Sequence, residues 1–442
     1  MLVPSARSVA ATVVSRVVAD KAFAAAALDG ELDRAVQLDA RDRALATELV
    51  YGTLRLFGWL EGRIGRHAKR GVDKLDPIVR AHLAVAAYQI FVLTRVPAFA
   101  AVSEAVGAIR AVRGAQVAGF ANAVLRKLAA EPRPTNEELV RAAFDSAEPS
   151  LRDSIVRAIG HEGALALFGA HHETPPLGIR IEDDRARDVW LERFREARPT
   201  ASFEAGRVSP HAVLARGAGK LVELPGYDEG AWTSQEEGSQ LVALALGARS
   251  GEVVLDACAG RGNKTSLLAR AVGPNGAVDA ADVHPKKLER LTRELERIGC
   301  RPRATFAVDW SRGTGGACEG TYDRVLVDAP CSGTGTLRRR PELGLRRSGA
   351  DIDELARLQR AIFARAARLA VPGGRVVYAV CSVLREEAED VLADVADAAG
   401  LSPEPFDAAP AIAVAGKGNS TLRLLPHEHG TDGYFVASFR RR

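Results

Sequence analysis

The chain has 442 residues, is 47% hydrophobic and carries a formal net charge of +4. This length exceeds a single hydrophobic core and predicts two or three domains, while the mild charge does not by itself announce a nucleic-acid ligand. The longest nearly uninterrupted apolar stretch, Leu83 to Leu93, falls far short of the roughly 20 residues that span a bilayer, and Arg7, Arg16, Asp20 and Lys21 interrupt the apolar N-terminus, so neither a membrane segment nor a secretory signal is expected and a cytoplasmic location follows.

From about Ser5 to Leu128 the pattern is helical almost throughout. Asp76-Pro77 is a helix start signal. After it, Val79, Leu83, Ala86, Ala87 and Ile90 repeat along one helical face. Pro132 and Pro134 punctuate the chain, further helical material runs from Asn136 to Ala170, and Pro175-Pro176 ends it. Leu177, Ile179 and Ile181 then alternate with Gly178, Arg180 and Glu182 as in a strand, a helix follows over 189–197, and a small α+β module is predicted to run to about Gly230. From Gly251 onward apolar runs at 253–255, 277–281, 306–308, 325–327 and 376–380 alternate with helical segments, the rhythm of a doubly wound parallel sheet.

Polar residues terminate these runs in the order Asp256, Asp282, Asp309, Asp328 and Cys381. Any one alone reads as a loop residue or cap; together, at the strand ends where such sheets bind ligands, they outline a site. The segment from Asp256 to Thr265, DACAGRGNKT, leaves the first strand and opens a helix, with Gly260 and Gly262 allowing a tight turn and close backbone approach. It has neither the GxGxxG nor the P-loop spacing, so a phosphate cradle is disfavoured. Asp282, 26 residues after Asp256, is placed to accept from both hydroxyls of a ribose, and Asp309 from an exocyclic adenine amine.

Five cysteines, Cys258, Cys300, Cys318, Cys331 and Cys381, form no CxxC pair and lack a neighbouring histidine pattern, so neither a disulfide framework nor a metal site is expected. A lone strand cysteine is usually a small core hydrophobe. Cys331, in DAPCSGTG, and Cys381, in YAVCS, each follow a buried strand at its carboxyl end, 50 residues apart, and so become nucleophile candidates. Of two basic clusters, Arg63, Arg66, His67, Lys69 and Arg70 read as a solvated helix face, whereas Arg338, Arg339, Arg340, Arg346 and Arg347 adjoin the Cys331 motif and are expected to grip a nucleic-acid backbone.

The motifs DAPCSGTG (Asp328 to Gly335), YAVCS (Tyr378 to Ser382) and DACAGRGNKT make the chain resemble the RsmB/Sun-type RNA cytosine-C5 methyltransferases. RDRALATELVYGTLR (Arg41 to Arg55), RVPAFAAVSEAV (Arg95 to Val106) and NAVLRKL (Asn122 to Leu128) are similar to that family's NusB-like RNA-binding domain. The resemblance implies a multidomain protein: an all-α NusB-like domain over 1–131, linker helices and a small α+β RNA-binding module over 132–240, and a Rossmann-like class I methyltransferase domain over 241–442. It further implies S-adenosyl-L-methionine as cofactor, held by Cys258, Ala259, Gly260, Arg261, Gly262, Asn263, Lys264, Asp282, Asp309 and Asp328, and 16S rRNA as substrate for a monomer. Arg261 stands where the family usually has Pro, Asn263 where it has a second Gly, Arg385 where it has Pro and Ala388 where it has Asn.

Cytosine C5 is a poor nucleophile; adding a thiolate to C6 makes C5 able to attack an electrophilic methyl. The reaction needs a nucleophile, a group at the N3/N4 edge, for which Asp328 is placed, and a base near C5. Chemistry leaves open which cysteine attacks. The resemblance implies that Cys381 attacks and Cys331 assists release. Two other readings stand beside this one: an RNA assembly factor with a vestigial methyltransferase domain, supported by Arg261 and Asn263, and a dinucleotide-dependent oxidoreductase, disfavoured by the glycine spacing and by two cysteines without a role.

Overall fold

The structure, a computed structural model, describes residues 4–68, 71–170, 174–317 and 320–442. Lys69, Arg70 and Cys318 lie outside the described residues. The chain divides into two compact units: Met1–Val156 with Gly160–Thr174 and Leu337–Ser348, and Arg157–Ile159 with Pro175–Thr336 and Gly349–Arg442.

The first unit is helical: α1 (Ala6–Ala19), α2 (Ala24–Arg34), α3 (Ala40–Arg55), α4 (Phe57–Gly65), α5 (Pro77–Phe91), α6 (Ala98–Ala129), α7 (Asn136–Ser146) and the greater part of α8 (Pro149–Gly169). Helix α5 starts at the predicted signal: the Asp76 carboxylate accepts the Ile78 N–H at 3.1 Å, and Pro77 sits in the first turn, where no N–H is required. Val79, Leu83, Ala86, Ala87 and Ile90 are buried as expected, but so are Ala84, Val85, Tyr88 and Phe91. The helix is therefore enclosed, packed by α1, α3, α4 and α6, rather than amphipathic. The proline boundary near 131 falls between α6 and α7, and Thr135 and Glu138 form a capping box that starts α7.

Described residues of both basic clusters are tied into this unit. Arg63 and His67 hold Glu131 at 2.7 and 2.8 Å, and the Arg63 guanidinium lies 4.8 Å from the centre of the Trp59 ring. The Leu337–Ser348 segment packs among the helices: Glu342, 2% exposed, accepts the Ala24 N–H at 3.2 Å at the start of α2, and Arg55 donates to the Arg338 carbonyl at 3.2 Å. Arg346 donates to the carbonyls of Val17 (2.9 Å), Lys21 (2.8 Å) and Ala22. Arg338 is buried. The expected grip of this run on an RNA backbone is therefore corrected for Arg338, which is buried, and for Arg346, whose guanidinium is engaged by backbone carbonyls.

The second unit begins with strands β1 (Leu177–Ile181), β2 (Ser202–Ala205), β3 (Ala212–Arg216) and β4 (Trp232–Ser234), with α9 (Arg187–Ala197) between the first two. Among the described residues they form an antiparallel four-stranded sheet in the order β2-β3-β1-β4. Phe194, Trp232, Phe203, Ile179 and Ile181 make its core.

A larger sheet follows, built from β5 (Val253–Asp256), β6 (Ala277–Asp282), β7 (Ala304–Ala307), β8 (Tyr322–Asp328), β9 (Ala370–Val380), β10 (Leu401–Pro403), β11 (Thr421–Leu424) and β12 (Tyr434–Arg441). Its order is β10-β12-β9-β8-β5-β6-β7, with β11 also on β12. Strands β5 to β9 run parallel; β12 runs antiparallel to β9. Alternate residues of β8 and β9 feed different cores: Val325, Val327, Val376, Tyr378 and Val380 one, and Leu326, Val377 and Ala379 the other. Burial on both faces explains why these strands read as unbroken apolar runs. Helices α10 (Glu237–Ala245), α11 (Asn263–Val272), α12 (Pro285–Arg297), α13 (Gly349–Ala367), α14 (Glu389–Val395), α15 (Ala409–Ala415) and α16 (Pro426–His429) complete the unit. Strand order reverses between β5 and β8, the topological switch point where such sheets open a ligand crevice. Among the described residues no helix is long and apolar enough to cross a membrane.

Candidate active site

The crevice is built from the loops that leave β5, β6, β8 and β9. The β5 loop turns through Gly260 (φ +58°) and Gly262 (φ +88°) into α11. A side chain at Gly262 would stand 2.7 Å from Leu291 and Leu295, so glycine is required there for space as well as for conformation. A Cβ at Gly260 would meet nothing within 4 Å, which leaves that turn open to a ligand. Asn263 is the first residue of α11 and has no left-handed backbone, so the departure from glycine costs no strain; its amide donates to the Ser234 carbonyl at 3.3 Å. Arg261 is exposed.

Asp282 ends β6 and is fixed by backbone donors from two loops, Gly260 N–H at 3.1 Å and His284 N–H at 2.8 Å, with the Lys287 ammonium at 3.7 Å. Asp309 stands two residues beyond the end of β7. Its carboxylate accepts from the backbone and hydroxyl of Ser311 at 2.9 and 2.6 Å and pairs with Arg312 at 3.2 Å, and the Ser311 bonds hold it below its ordinary range. The next residue, Trp310, donates its ring N–H to the Ala257 carbonyl at 2.7 Å, which ties this turn to the β5 loop.

Lys264, in the first turn of α11, reaches Asp328 at the end of β8 with Nζ–Oδ2 of 2.6 Å. Burial opposes the lysine's charge, but the Asp328 carboxylate and its hydrogen bond outweigh it and hold Lys264 above its ordinary value. Three residues after Asp328, Cys331 meets Cys381 with Sγ–Sγ of 3.2 Å. Their loops are joined directly: the Gly335 N–H donates to the Cys381 carbonyl at 3.1 Å, the Val383 N–H to the Thr334 hydroxyl at 3.1 Å, and the Ser382 and Thr334 hydroxyls lie 3.0 Å apart. A Cβ at Gly335 would fall 2.0 Å from the Gly433 carbonyl oxygen, so the loop can lie this close only with glycine. The hydrogen bond with Cys381, then burial, pushes the Cys331 thiol well above its ordinary value.

Several supporting residues were not singled out in the sequence. Arg180 of β1, fully buried, donates to Glu182 (2.6 Å), Gln235 (2.6 Å), the Ser266 hydroxyl (2.7 Å) and the Asn263 carbonyl, and so pins the first turn of α11 to the small sheet. Glu387, also fully buried, holds Ser332 and Gln359. The Tyr434 ring lies 5.9 Å from Lys264 Nζ. Alternation in β1 disguised Arg180 as a solvent-facing residue, and Glu387 lay hidden in an acidic string. Ala388, where the resembled family has Asn, is buried in the core and offers no polar contact.

Asp256 lies beneath the site, 1% exposed, accepting from the Thr265 hydroxyl at 2.7 Å. Burial pushes its carboxyl from 3.8 up to about 6. The folded state thus binds this proton more tightly than the unfolded chain, so stability falls as pH rises between those values and stays reduced above them. A shift of about two units corresponds to about 3 kcal/mol. Asp256→Asn, which cannot ionise, is expected to raise the urea midpoint relative to the native protein at pH 7.5 and to lose most of that gain at pH 4.5. An equal difference at both pH values would contradict this.

Residues 243–440 match the family described as 16S rRNA methyltransferase RsmB/F, and residues 4–130 the NusB family. Ribosomal RNA small subunit methyltransferase B of Pseudomonas putida is 32% identical over 98% of this chain and 97% of its own, and that of Erwinia tasmaniensis 34% identical over 78% and 80%. A Mycobacterium tuberculosis protein provisionally named a methyltransferase is 36% identical over 91% and 90%. The crystal structure of PH0851 superposes with a TM-score of 0.81 over 100% of both chains at 24% identity, and NSun6 from Pyrococcus horikoshii with SFG with a TM-score of 0.57 over 67% of this chain and 99% of that one at 19% identity; both share the fold. With a NusB region ahead of a doubly wound sheet and full-length relatives above 30% identity, the chain belongs to the RsmB/F family of 16S rRNA methyltransferases.

Proposed function

We propose that the protein methylates C5 of a cytosine in 16S rRNA through a covalent Cys381–C6 adduct, with Cys331 assisting release. The observation that carries this reading is the pair of thiols 3.2 Å apart at the carboxyl edge of the sheet, beside the Lys264–Asp328 pair. Residues 258–264 with Asp282, Asp309 and Asp328 are assigned to S-adenosyl-L-methionine; the open turn at Gly260 and the carboxylates at the strand ends fit a nucleoside with a charged amino-acid tail. Bound there, that molecule supplies an electrophilic methyl.

The Cys381 thiolate bonds to C6 as the C5–C6 π pair shifts to C5, and Asp328 hydrogen-bonds the N3/N4 edge of the ring while charge is held there. C5 would use that pair to bond the methyl carbon, whose bond to the donor's sulfonium sulfur would break with both electrons left on sulfur as a neutral thioether. The C5 proton then leaves to the base that Cys331 provides or positions, the C5–C6 double bond re-forms and the C6–S bond breaks, returning the thiolate to Cys381. Because C6 is inaccessible in a stacked helix, the target strand is read as single-stranded or loosely structured RNA. The helical region over 1–131 and the module over 132–240 are assigned to RNA binding, residues 241–442 to chemistry, in a cytoplasmic monomer. Incubation with methyl-labelled adenosylmethionine and 16S rRNA, followed by nucleoside mass spectrometry, should place the label in 5-methylcytidine. Label in another nucleoside, or in none, would refute the reading.

A further inference from the structure

Glu387 lies six residues after Cys381 and is fully buried. Withdrawing a carboxylate from water is costly unless donors compensate. Here three do: the Ser332 N–H at 2.7 Å, the Ser332 hydroxyl at 2.5 Å and the Gln359 amide at 3.0 Å. These donors converge on one place. Ser332 follows Cys331, and the Gln359 amide also donates at 2.9 Å to the carbonyl of Pro330, the residue before Cys331. The Glu387 backbone carbonyl accepts the Tyr378 hydroxyl at 2.7 Å, which anchors the carboxylate's own segment to β9. Cys381, by contrast, ends β9 directly, and its carbonyl is fixed by Gly335.

We propose that Glu387 is a positioning residue for product release: its carboxylate brackets Cys331 through Ser332 and Gln359 and so keeps that thiol 3.2 Å from Cys381. The proposal rests on the reading of Cys381 as nucleophile and Cys331 as release residue. It also gives the release step a timing. In the free enzyme the hydrogen bond it shares with Cys381, and then burial, hold the Cys331 thiol well above its ordinary value. Once Cys381 is a thioether it is a poor hydrogen-bond partner, so the largest cause of that shift is relieved while Glu387 still holds Cys331 in place. Attack by Cys381 does not need the clamp; release does.

The test uses the full chain with adenosylmethionine and 16S rRNA. Glu387→Gln is expected to lower multiple-turnover methylation at least tenfold, to leave the KM for adenosylmethionine within twofold, and to accumulate an SDS-stable protein–RNA adduct as Cys331→Ala does. Ser332→Ala, which removes the hydroxyl donor alone, should show the same pattern with a smaller loss, and decides the matter by itself if Glu387→Gln does not fold. Normal turnover, or lost turnover without adduct in a protein with native circular dichroism and Tm, would overturn the proposal. If Cys331→Ala forms no adduct either, the underlying reading of the two cysteines fails. If Cys331→Ala forms it and the Glu387 and Ser332 variants do not, only the positioning role fails.

Discussion

Alanine at position 381 is expected to abolish methyl transfer while leaving the fold and adenosylmethionine binding intact. Cys381 follows β9 directly, packs against the core cluster that includes Leu326, Val377 and Tyr434, and contributes one small side chain to that packing. Removing its sulfur creates a minor void and removes no hydrogen bond that shapes the backbone, because its carbonyl still accepts from Gly335. The chemical loss is large. Without addition at C6, C5 stays part of an aromatic ring, and a fall of at least about 10⁴-fold in rate, on the order of 5 kcal/mol in transition-state free energy, is expected. Single-turnover assays with labelled methyl donor measure it. A variant that transferred methyl at the native rate would remove Cys381 from the chemistry.

Alanine at position 331 should give the opposite phenotype. Attack at C6 and transfer of the methyl precede the step assigned to Cys331, so the first round proceeds and the product stays bound through Cys381. The expected result is a slow-migrating protein–RNA band on denaturing gels, formed only with adenosylmethionine present, and a multiple-turnover rate reduced by about two orders of magnitude, or about 3 kcal/mol. Absence of the band from a folded variant would count against the release role. The two variants separate residues that their mutual contact alone leaves equivalent, since each thiol touches the other.

The path from sequence to site was legible wherever a residue type and its position on a strand carried the same message. Asp256, Asp282 and Asp328 end their strands and Cys381 follows its strand, polar residues closing apolar runs that are buried on both faces. Gly262 was legible as a tight-turn residue, in keeping with its φ of +88°, whereas its crowding by Leu291 and Leu295 was not. The remainder depends on contacts between residues far apart in the chain. Arg180 looks solvent-facing in its alternating strand, yet its partners at Asn263 and Ser266 lie 83 and 86 residues away. Arg346 belongs to a run whose local density of charge suggested RNA, and its acceptors are carbonyls 324 to 329 residues distant. Asp309 was placed at a strand end, but the strand stops at Ala307 and the carboxylate serves a turn with Ser311. Periodicity reports which face a residue occupies, not which distant backbone group waits there.

The central claim, that Cys381 rather than Cys331 bonds to C6, is tested most directly with RNA carrying 5-fluorocytidine at the target position. Fluorine at C5 leaves no proton to remove, so the adduct formed after methyl transfer cannot resolve. Digestion of the trapped complex and mass spectrometry of the modified peptide should place the nucleotide on Cys381, in the peptide that includes Tyr378 to Ser382. Attachment to Cys331, or methylation of the fluorinated base without any trapped peptide, would contradict the account.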